Sequence, residues 1–406
     1  MKDKKKITIL YLMEYPIDLP GGGQMSTQTL CEGICAYSAG DLSLYKFDSF
    51  DDDYEYVPVV ACPNLLSAKK EDYPFEIVTY ESDENRELSK YSRIKNFVSR
   101  IDSFRRIIKS VKPDLIHVSM SESLISFGFL RVLGMFSEIP FVYTDRGLCY
   151  GYRKHSKICI KMTLNRAARM LTTTQFNKNL WLKENLNCDI TVIPNTISPA
   201  FDYFNPQKRE EMRDKYKVGK GEFVIGFAGR ISEEKDWDFA PVFVENLAKA
   251  GIKIKVALVL SVYEERDADI VASIKDKIIA SLGEENLIYM QDLSQKEISD
   301  YYYLVDAFIM TSSFESFGKA AVEAMSRKCV VLSTGVGGLK EVIGKSENIY
   351  EKDKPLDYIT KIKEYMSDES ILESDREYFY GRYKDNYTKE RNVVSHIGLY
   401  KEILKL

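Results

Sequence analysis

The chain predicts an α/β architecture of two doubly wound domains, and three observations predict it. Its 406 residues exceed what one hydrophobic core usually spans, about 250–300 residues. Its apolar runs are short, rich in β-branched residues and without polar alternation, which is how strands buried on both faces of a parallel sheet read. Longer amphipathic stretches separate those runs, giving βα units twice over.

Taken in order, ITILYLM (7–13) is the first strand. It follows a basic head, but it is too short for a secretory core and no small-residue cleavage site follows. LIHVSM (115–120), FVYT (141–144), MLTTT (170–174) and ITVIP (190–194) continue the first half. FVIGFAG (223–229), IKVALVL (254–260), LIYM (287–290), AFIMTS (307–312) and CVVLST (329–334) make the second. Helices are expected over 25–36, 93–110, 176–185 and 238–250, whereas the loops within 40–110 carry no interpretable pattern. VIPNTISPAFDYFNP (192–206) clusters three prolines and two asparagines and marks the boundary. The expected domains are therefore 1–198 and 199–390, with a last helix at about 391–406 returning to the first.

Bulk properties exclude several classes. A net charge of −4 speaks against a general nucleic-acid binder, so no nucleic acid is expected as partner. Seven scattered cysteines without a CxxC pair support neither a zinc site nor a redox motif and suit a reducing cytoplasm. The most apolar long window, 124–143, is interrupted by Arg131 and Glu138, short of the about 20 apolar residues that a spanning helix needs.

Three stretches carry chemistry. In TSSFESFGKAAVEAM (311–325), Glu315 precedes a helix and Glu323 lies within it. The turn between strand and helix lies at the carboxyl end of a parallel strand, where open α/β sheets bind ligands. Amides near Ser316, Phe317, Gly318 and Lys319 suit a phosphate, and Gly318 permits close backbone approach. The two acids can flank a diphosphate, or they can be a loop acid and a helix-surface acid; spacing leaves both readings open. In FAGRISEEKDW (227–237), Arg230 and Lys235 follow a strand ending in Gly229 and can clamp a diphosphate, one as a fork and one as a point charge. DLPGGGQMST (18–27) places Gly22 and Gly23 after the first strand, but the spacing is not that of a dinucleotide fingerprint.

GRISEEK, the Glu-x7-Glu of ESFGKAAVE, STGVGGLKEVI (333–343), VIPNTI and GGGQ occur in one order over nearly the whole chain. Together they resemble a retaining glycosyltransferase of family 4 (glycosyl transferases group 1). The resemblance implies two Rossmann-like domains facing across a cleft, the second holding a nucleotide-sugar and the first its acceptor. It implies Arg230 and Lys235 on the diphosphate, Glu315 on the donor sugar, Glu323 on the ribose, and backbone contacts from Gly229 and 316–319. Gly22 and Gly23 would close over the donor, and 336–338 would line the same site. Where many members carry a histidine after the strand FVYT, this chain has Asp145, assigned here a catalytic, acceptor-side role beside Arg146. His117 is read either as an acceptor-side group or as a hydrogen-bonded structural histidine.

No metal and no other cofactor is expected, the nucleotide-sugar being a substrate. The Asp-x-Asp in FDDDYEY (50–56) reads as a solvated acidic loop. Residues 90–112 carry eight Lys/Arg against one acid and 144–170 carry seven against one, so both stretches are candidates for an anionic membrane surface. The expected activity is transfer from a UDP-sugar to a saccharide or to a lipid-linked or protein-linked glycan, in the cytoplasm or at the inner face of the cell membrane, in capsule, exopolysaccharide or cell-wall synthesis. Its rivals are a GT-B sugar-nucleotide epimerase and a non-catalytic glycan-binding subunit.

Overall fold

The computed structural model describes residues 4–82, 90–201, 203–262 and 267–406. The chain divides into two compact units: Met1–Ser198 with Lys389–Leu406, and Pro199–Thr388.

In the first unit β1 (Lys5–Leu12), β2 (Tyr54–Pro63), β3 (Glu76–Tyr80), β4 (Leu115–Val118), β5 (Phe141–Asp145), β6 (Arg169–Thr172) and β7 (Ile190–Val192) form one sheet. Its order is β3-β2-β1-β4-β5-β6-β7, and every described pairing is parallel. Alternation along β1 divides the core. Ile7, Ile9 and Tyr11 pack under α1 (Gly22–Ala39) and the C-terminal helix (Lys389–Leu404). Leu10 and Leu12 point to the other face. There α2 (Lys90–Val111), α3 (Ser121–Val132), α4 (Lys154–Leu164) and α5 (Gln175–Leu182) contribute Phe104, Phe127, Leu164 and Trp181.

Two of these strands lie in the segment that the sequence left unread. Pro58 sits inside β2, and β3 joins that strand only from Val59 onward. The proline thus lies where the outer side of β2 is still unpaired, the place a strand tolerates one. In the acidic run before β2, Asp52 and Asp53 are exposed as in a solvated loop, but Asp51 is not. Asp51 is almost fully covered and accepts from Tyr56 Oη at 2.9 Å, Lys401 Nζ at 2.8 Å and the amides of Asp53 and Tyr54. It ties the C-terminal helix to the start of β2.

The second unit has β8 (Val224–Arg230), β9 (Lys255–Ser261), β10 (Leu287–Gln291), β11 (Ala307–Met310) and β12 (Val330–Ser333), parallel in the order β10-β9-β8-β11-β12. Its helices are α6 (Pro206–Lys215), α7 (Phe239–Lys249), α8 (Asp267–Leu282), α9 (Gln295–Tyr301), α10 (Lys319–Ser326), α11 (Leu339–Ile343), α12 (Pro355–Ser367) and α13 (Glu369–Asn386); the C-terminal helix of the first unit is then α14. Buried Asp306, just before β11, pairs with Arg209, Arg213 and Arg376 and accepts from Val224 N. Burial raises its carboxyl, but the three guanidinium groups outweigh that and hold it below the usual range. In each sheet the direction of winding reverses once, between β1 and β4 and between β8 and β11. Those reversals mark where such sheets bind ligands, at the carboxyl ends of the strands.

Candidate functional site

In the second unit, the loops leaving β8, β11 and β12 meet at this reversal. Trp237 Nε1 donates to Arg230 O at 2.8 Å and closes the first loop on itself. Asp236 takes a left-handed conformation there and pairs with Lys352. The loop after β11 is stitched to it: Thr311 Oγ1 donates to Lys235 O at 2.7 Å and Ser313 N to Glu234 O at 2.9 Å. The loop after β12 joins through Thr334 Oγ1 on Ser312 O at 2.7 Å and Gly338 N on Glu315 O at 3.1 Å. Gly337, at φ +59°, lies so close that a Cβ there would stand 2.0 Å from Glu315 O. Only glycine fits both the angle and the space.

This backbone frame brings the expected residues together. Lys235 Nζ lies 2.6 Å from Glu315 Oε2, and both side chains are about one-fifth exposed (22% and 17%). Arg230 is open to solvent at 58%, with Glu234 at 3.9 Å as a loose partner. Gly229 precedes it in extended conformation, packed near Trp237. Gly318 caps α10 at φ +95°, against Leu339. Ser316 and Lys319 are half-buried around it, while the Phe317 ring is buried against Tyr387. Phe317 therefore anchors the loop in the core with its side chain. Glu323, half-buried on α10, accepts from Tyr302 Oη at 3.1 Å, and burial raises its carboxyl. It is held in the body of the domain rather than left as a surface acid. The parts of Thr311, Trp237 and Tyr302 escaped the sequence reading, because each acts through one hydrogen bond that has no spacing signature.

The first unit corrects two assignments. Asp145 is fully buried and points into the α2–α5 face. It accepts from Tyr152 Oη at 2.5 Å, Trp181 Nε1 at 2.5 Å and Gly147 N at 3.2 Å. Burial raises its carboxyl, against those hydrogen bonds. Both oxygens are occupied, so the Asp145 carboxylate does not stand free to meet a ligand, as the expected catalytic role would need. His117 is likewise closed off, with Nδ1 2.6 Å from Tyr400 Oη and Nε2 2.7 Å from Thr144 Oγ1. Burial holds it neutral, far below its ordinary range, and the structural alternative prevails over the acceptor-side one. Arg146, next in the chain, is half-buried and donates to Ser119 O at 3.1 Å. Gly22 opens α1 and Gly23 packs near Met120, both within the first unit.

Glu14, which the sequence reading passed over, follows β1 and accepts from Ser123 N at 2.6 Å, capping α3. Burial pushes its carboxyl up to about 7, against the opposing pull of Arg100. A cavity of about 670 Å³, lined by Glu32, Tyr45, Glu55, Tyr56 and Glu76 among others, lies at the start of β2 and β3, away from the carboxyl ends of the strands. Among the described residues no group of three His, Cys, Asp or Glu is placed to hold a metal, and no helix is long and apolar enough to cross a membrane.

Comparison with known proteins follows the same division. Residues 57–201 match the model of Glycosyltransferase Family 4 and residues 208–383 that of Glycosyl transferases group 1. The 2-deoxystreptamine glucosyltransferase of Streptomyces kanamyceticus is 30% identical over 188 residues, 46% of this chain and 47% of that protein. The chain thus spans about half the length of this relative. The capsular polysaccharide biosynthesis glycosyltransferase CapM of Staphylococcus aureus is 22% identical over 71% of this chain and 76% of its own. The solved structure of Anabaena HepE, a complex with UDP and glucose, superposes with a TM-score of 0.72 at 15% identity, covering 97% of this chain and 99% of that one. At that identity it speaks for the fold, which is GT-B. The chain belongs to the group 1, family 4 glycosyltransferases.

Proposed function

We propose that the chain is a retaining glycosyltransferase. It moves a sugar from a UDP-sugar to a saccharide, or to a lipid-linked or protein-linked glycan, in bacterial surface polysaccharide assembly. The observation that carries this reading is the meeting of Arg230, Lys235 and Glu315 at the winding reversal of the second sheet, beside the start of α10. HepE, solved with UDP and glucose, and CapM, a capsular polysaccharide glycosyltransferase, lend the donor and the pathway class.

The site supplies a chemical rationale. An ammonium has three donors, so Lys235 can keep Glu315 while it takes a phosphate oxygen. Exposed Arg230 offers a fork to the same diphosphate. Both charges stabilise the nucleoside diphosphate as it leaves, and the amide end of α10 adds to them. Glu315, braced by Lys235 and by the Gly338 contact to its backbone, presents its carboxylate to sugar hydroxyls. Glu323, held by Tyr302, is assigned to the ribose. No metal enters this scheme.

Thermal unfolding with UDP, GDP, ADP and their common sugar conjugates tests the reading. A ligand at 100 times its dissociation constant adds about 2.7 kcal/mol. A rise with one base, lost in Arg230→Ala, supports the transferase. A base-specific rise together with conversion of the nucleotide-sugar without any acceptor would favour the epimerase, and no rise at all would favour the non-catalytic subunit.

Docking on anionic lipid from the cytoplasmic side belongs to the same proposal. The face carrying α2, α3 and α4 exposes Ile94, Val98, Phe129, Leu133, Ile158 and Met162. Several cations of this region are already engaged: Arg100 with Glu122, Arg105 and Arg106 with Asp102, Lys157 and Lys161 with Glu184. The charge available is therefore smaller than the count suggests, and apolar insertion must contribute. Sedimentation with phosphatidylglycerol vesicles at low salt tests it; recovery in the supernatant would sink this part.

A further inference from the structure

Three neighbouring strands of the first unit end side by side, and the residue after each end is polar. Ser119 follows β4, Arg146 follows β5 and Thr173 follows β6. The ladders pair Val118 with Tyr143 and Asp145 with Thr172, so the next pairs along are Ser119 with Thr144 and Arg146 with Thr173. Residues paired in a sheet share a face. Thr144 bonds His117, which is bound in turn by Tyr400 of α14. Ser119, Arg146 and Thr173 thus line the edge of the α1–α14 face, opposite to Asp145.

The same face carries His396. It stacks on His117 at 5.8 Å between ring centroids, and its Nδ1 lies 2.7 Å from Asn392 O. A carbonyl only accepts, so Nδ1 holds the proton and Nε2 presents a lone pair. Arg146 lies on this same face by register, its guanidinium held at Ser119 O, two residues beyond His117 on β4.

Four polar atoms on this edge are buried without a hydrogen-bond partner: Ser119 Oγ, Arg146 Nε, Thr173 Oγ1 and His396 Nε2. Ser119, Thr173 and His396 are each more than nine-tenths covered. Arg146 spends one nitrogen on Ser119 O and makes no ion pair among the described residues. Leaving such groups unmet costs about 1–3 kcal/mol each, and folded proteins rarely gather several in one place without a use. Three of the four can donate, one of them carries an uncompensated positive charge, and the fourth can only accept.

We propose that Ser119, Arg146, Thr173 and His396 bind the acceptor through an oxyanion with a hydroxyl beside it, on a phosphorylated or carboxylated saccharide. The oxyanion takes the Arg146 Nε–H and the two side-chain hydroxyls, and the sugar hydroxyl donates to His396 Nε2. A neutral saccharide leaves the guanidinium charge unmet and binds more weakly. This rests on the transferase reading, and it adds the chemical class of the acceptor.

The test is thermal unfolding of the full chain saturated with UDP, titrated with glucose 6-phosphate, glucuronate or glucose. The expected result is a shift with one or both anionic sugars and none with glucose; which anion acts separates phosphate from carboxylate. Arg146→Gln weakens that binding about tenfold, the loss of one charge-assisted contact, and Arg146→Lys restores part of it. Thr173→Val, nearly equal in volume, weakens it about threefold and serves if the arginine variant does not fold. Lys235→Ala, titrated without UDP, keeps the anionic-sugar shift. A shift kept in Arg146→Gln and Thr173→Val, or one lost only in Lys235→Ala, overturns the proposal. So does the absence of any sugar shift while UDP still stabilises; in that case waters complete the four groups and the transferase reading stands. No shift with UDP either would mark failure of the transferase reading itself.

Discussion

The two sheets end in rims of opposite character. In the second unit Lys235 is matched to Glu315 beside the exposed Arg230, and three loops are sewn together by backbone contacts. In the first unit the rim holds Arg146 and three neutral groups whose hydrogen bonds are incomplete. A preformed, satisfied site suits a ligand of fixed shape that every catalytic cycle brings back. A rim with unmet polar groups suits a ligand that supplies the missing partners, and it leaves room for variety. Under the proposed function, that difference is the one between a site for a common donor and a site for a particular acceptor.

Removing the acid of the matched pair has the largest expected effect. Glu315→Ala leaves Lys235 without its partner and the donor sugar without its carboxylate. Turnover of the UDP-sugar should fall at least about 100-fold, as loss of one preorganised polar contact does in other active sites. Retention of most activity would show that the pair is only structural.

Glu14 sharpens the comparison from the other rim. Burial pushes its carboxyl up to about 7 in the folded chain, from an ordinary 4.5. The native state therefore binds the proton more tightly than the unfolded one, and stability is lost as pH rises from about 4.5 through 7. Glu14→Gln keeps an acceptor for Ser123 N and removes the charge. It should be nearly neutral at pH 4.5 and stabilising by about 3 kcal/mol at pH 8, from 1.36 kcal/mol per unit. Denaturant unfolding at the two pH values measures it, and a difference independent of pH contradicts the burial argument.

Smaller effects probe the sewing of the second rim. Gly337→Ala meets both a positive φ and the Glu315 carbonyl, so it should lower stability by about 1–3 kcal/mol and weaken UDP-sugar binding. Unchanged melting would mean that the loops are not held as described. Tyr302→Phe removes the hydroxyl that Glu323 accepts from and should weaken nucleotide affinity by about 1 kcal/mol, about fivefold. Equal affinity by calorimetry would detach Glu323 from the ribose.

The contrast also explains what the sequence disclosed. GRISEEK and ESFGKAAVE are contiguous, and their order along the chain is the order of the strands that carry them, so the second rim was legible. Ser119, Arg146, Thr173 and His396 come from four distant segments, and only sheet register and the return of α14 unite them. Asp145 shows the limit of reading by position. Its place at the end of β5 was legible, but a one-residue step decides which face a side chain takes, and Asp145 turned toward Trp181 while Arg146 took the opposite face, donating to Ser119 O. β2 and β3 were hidden by Pro58 and by an acidic approach whose Asp51 is buried for structural reasons.

The most direct measurement of the central claim is calorimetric titration of UDP into the wild-type chain and into Lys235→Ala. The account predicts binding by the wild type and a loss of at least about tenfold in the variant, one charge-assisted contact to phosphate. Equal affinity in the two proteins, or no binding by either, would contradict a nucleotide-sugar site built on Arg230, Lys235 and Glu315.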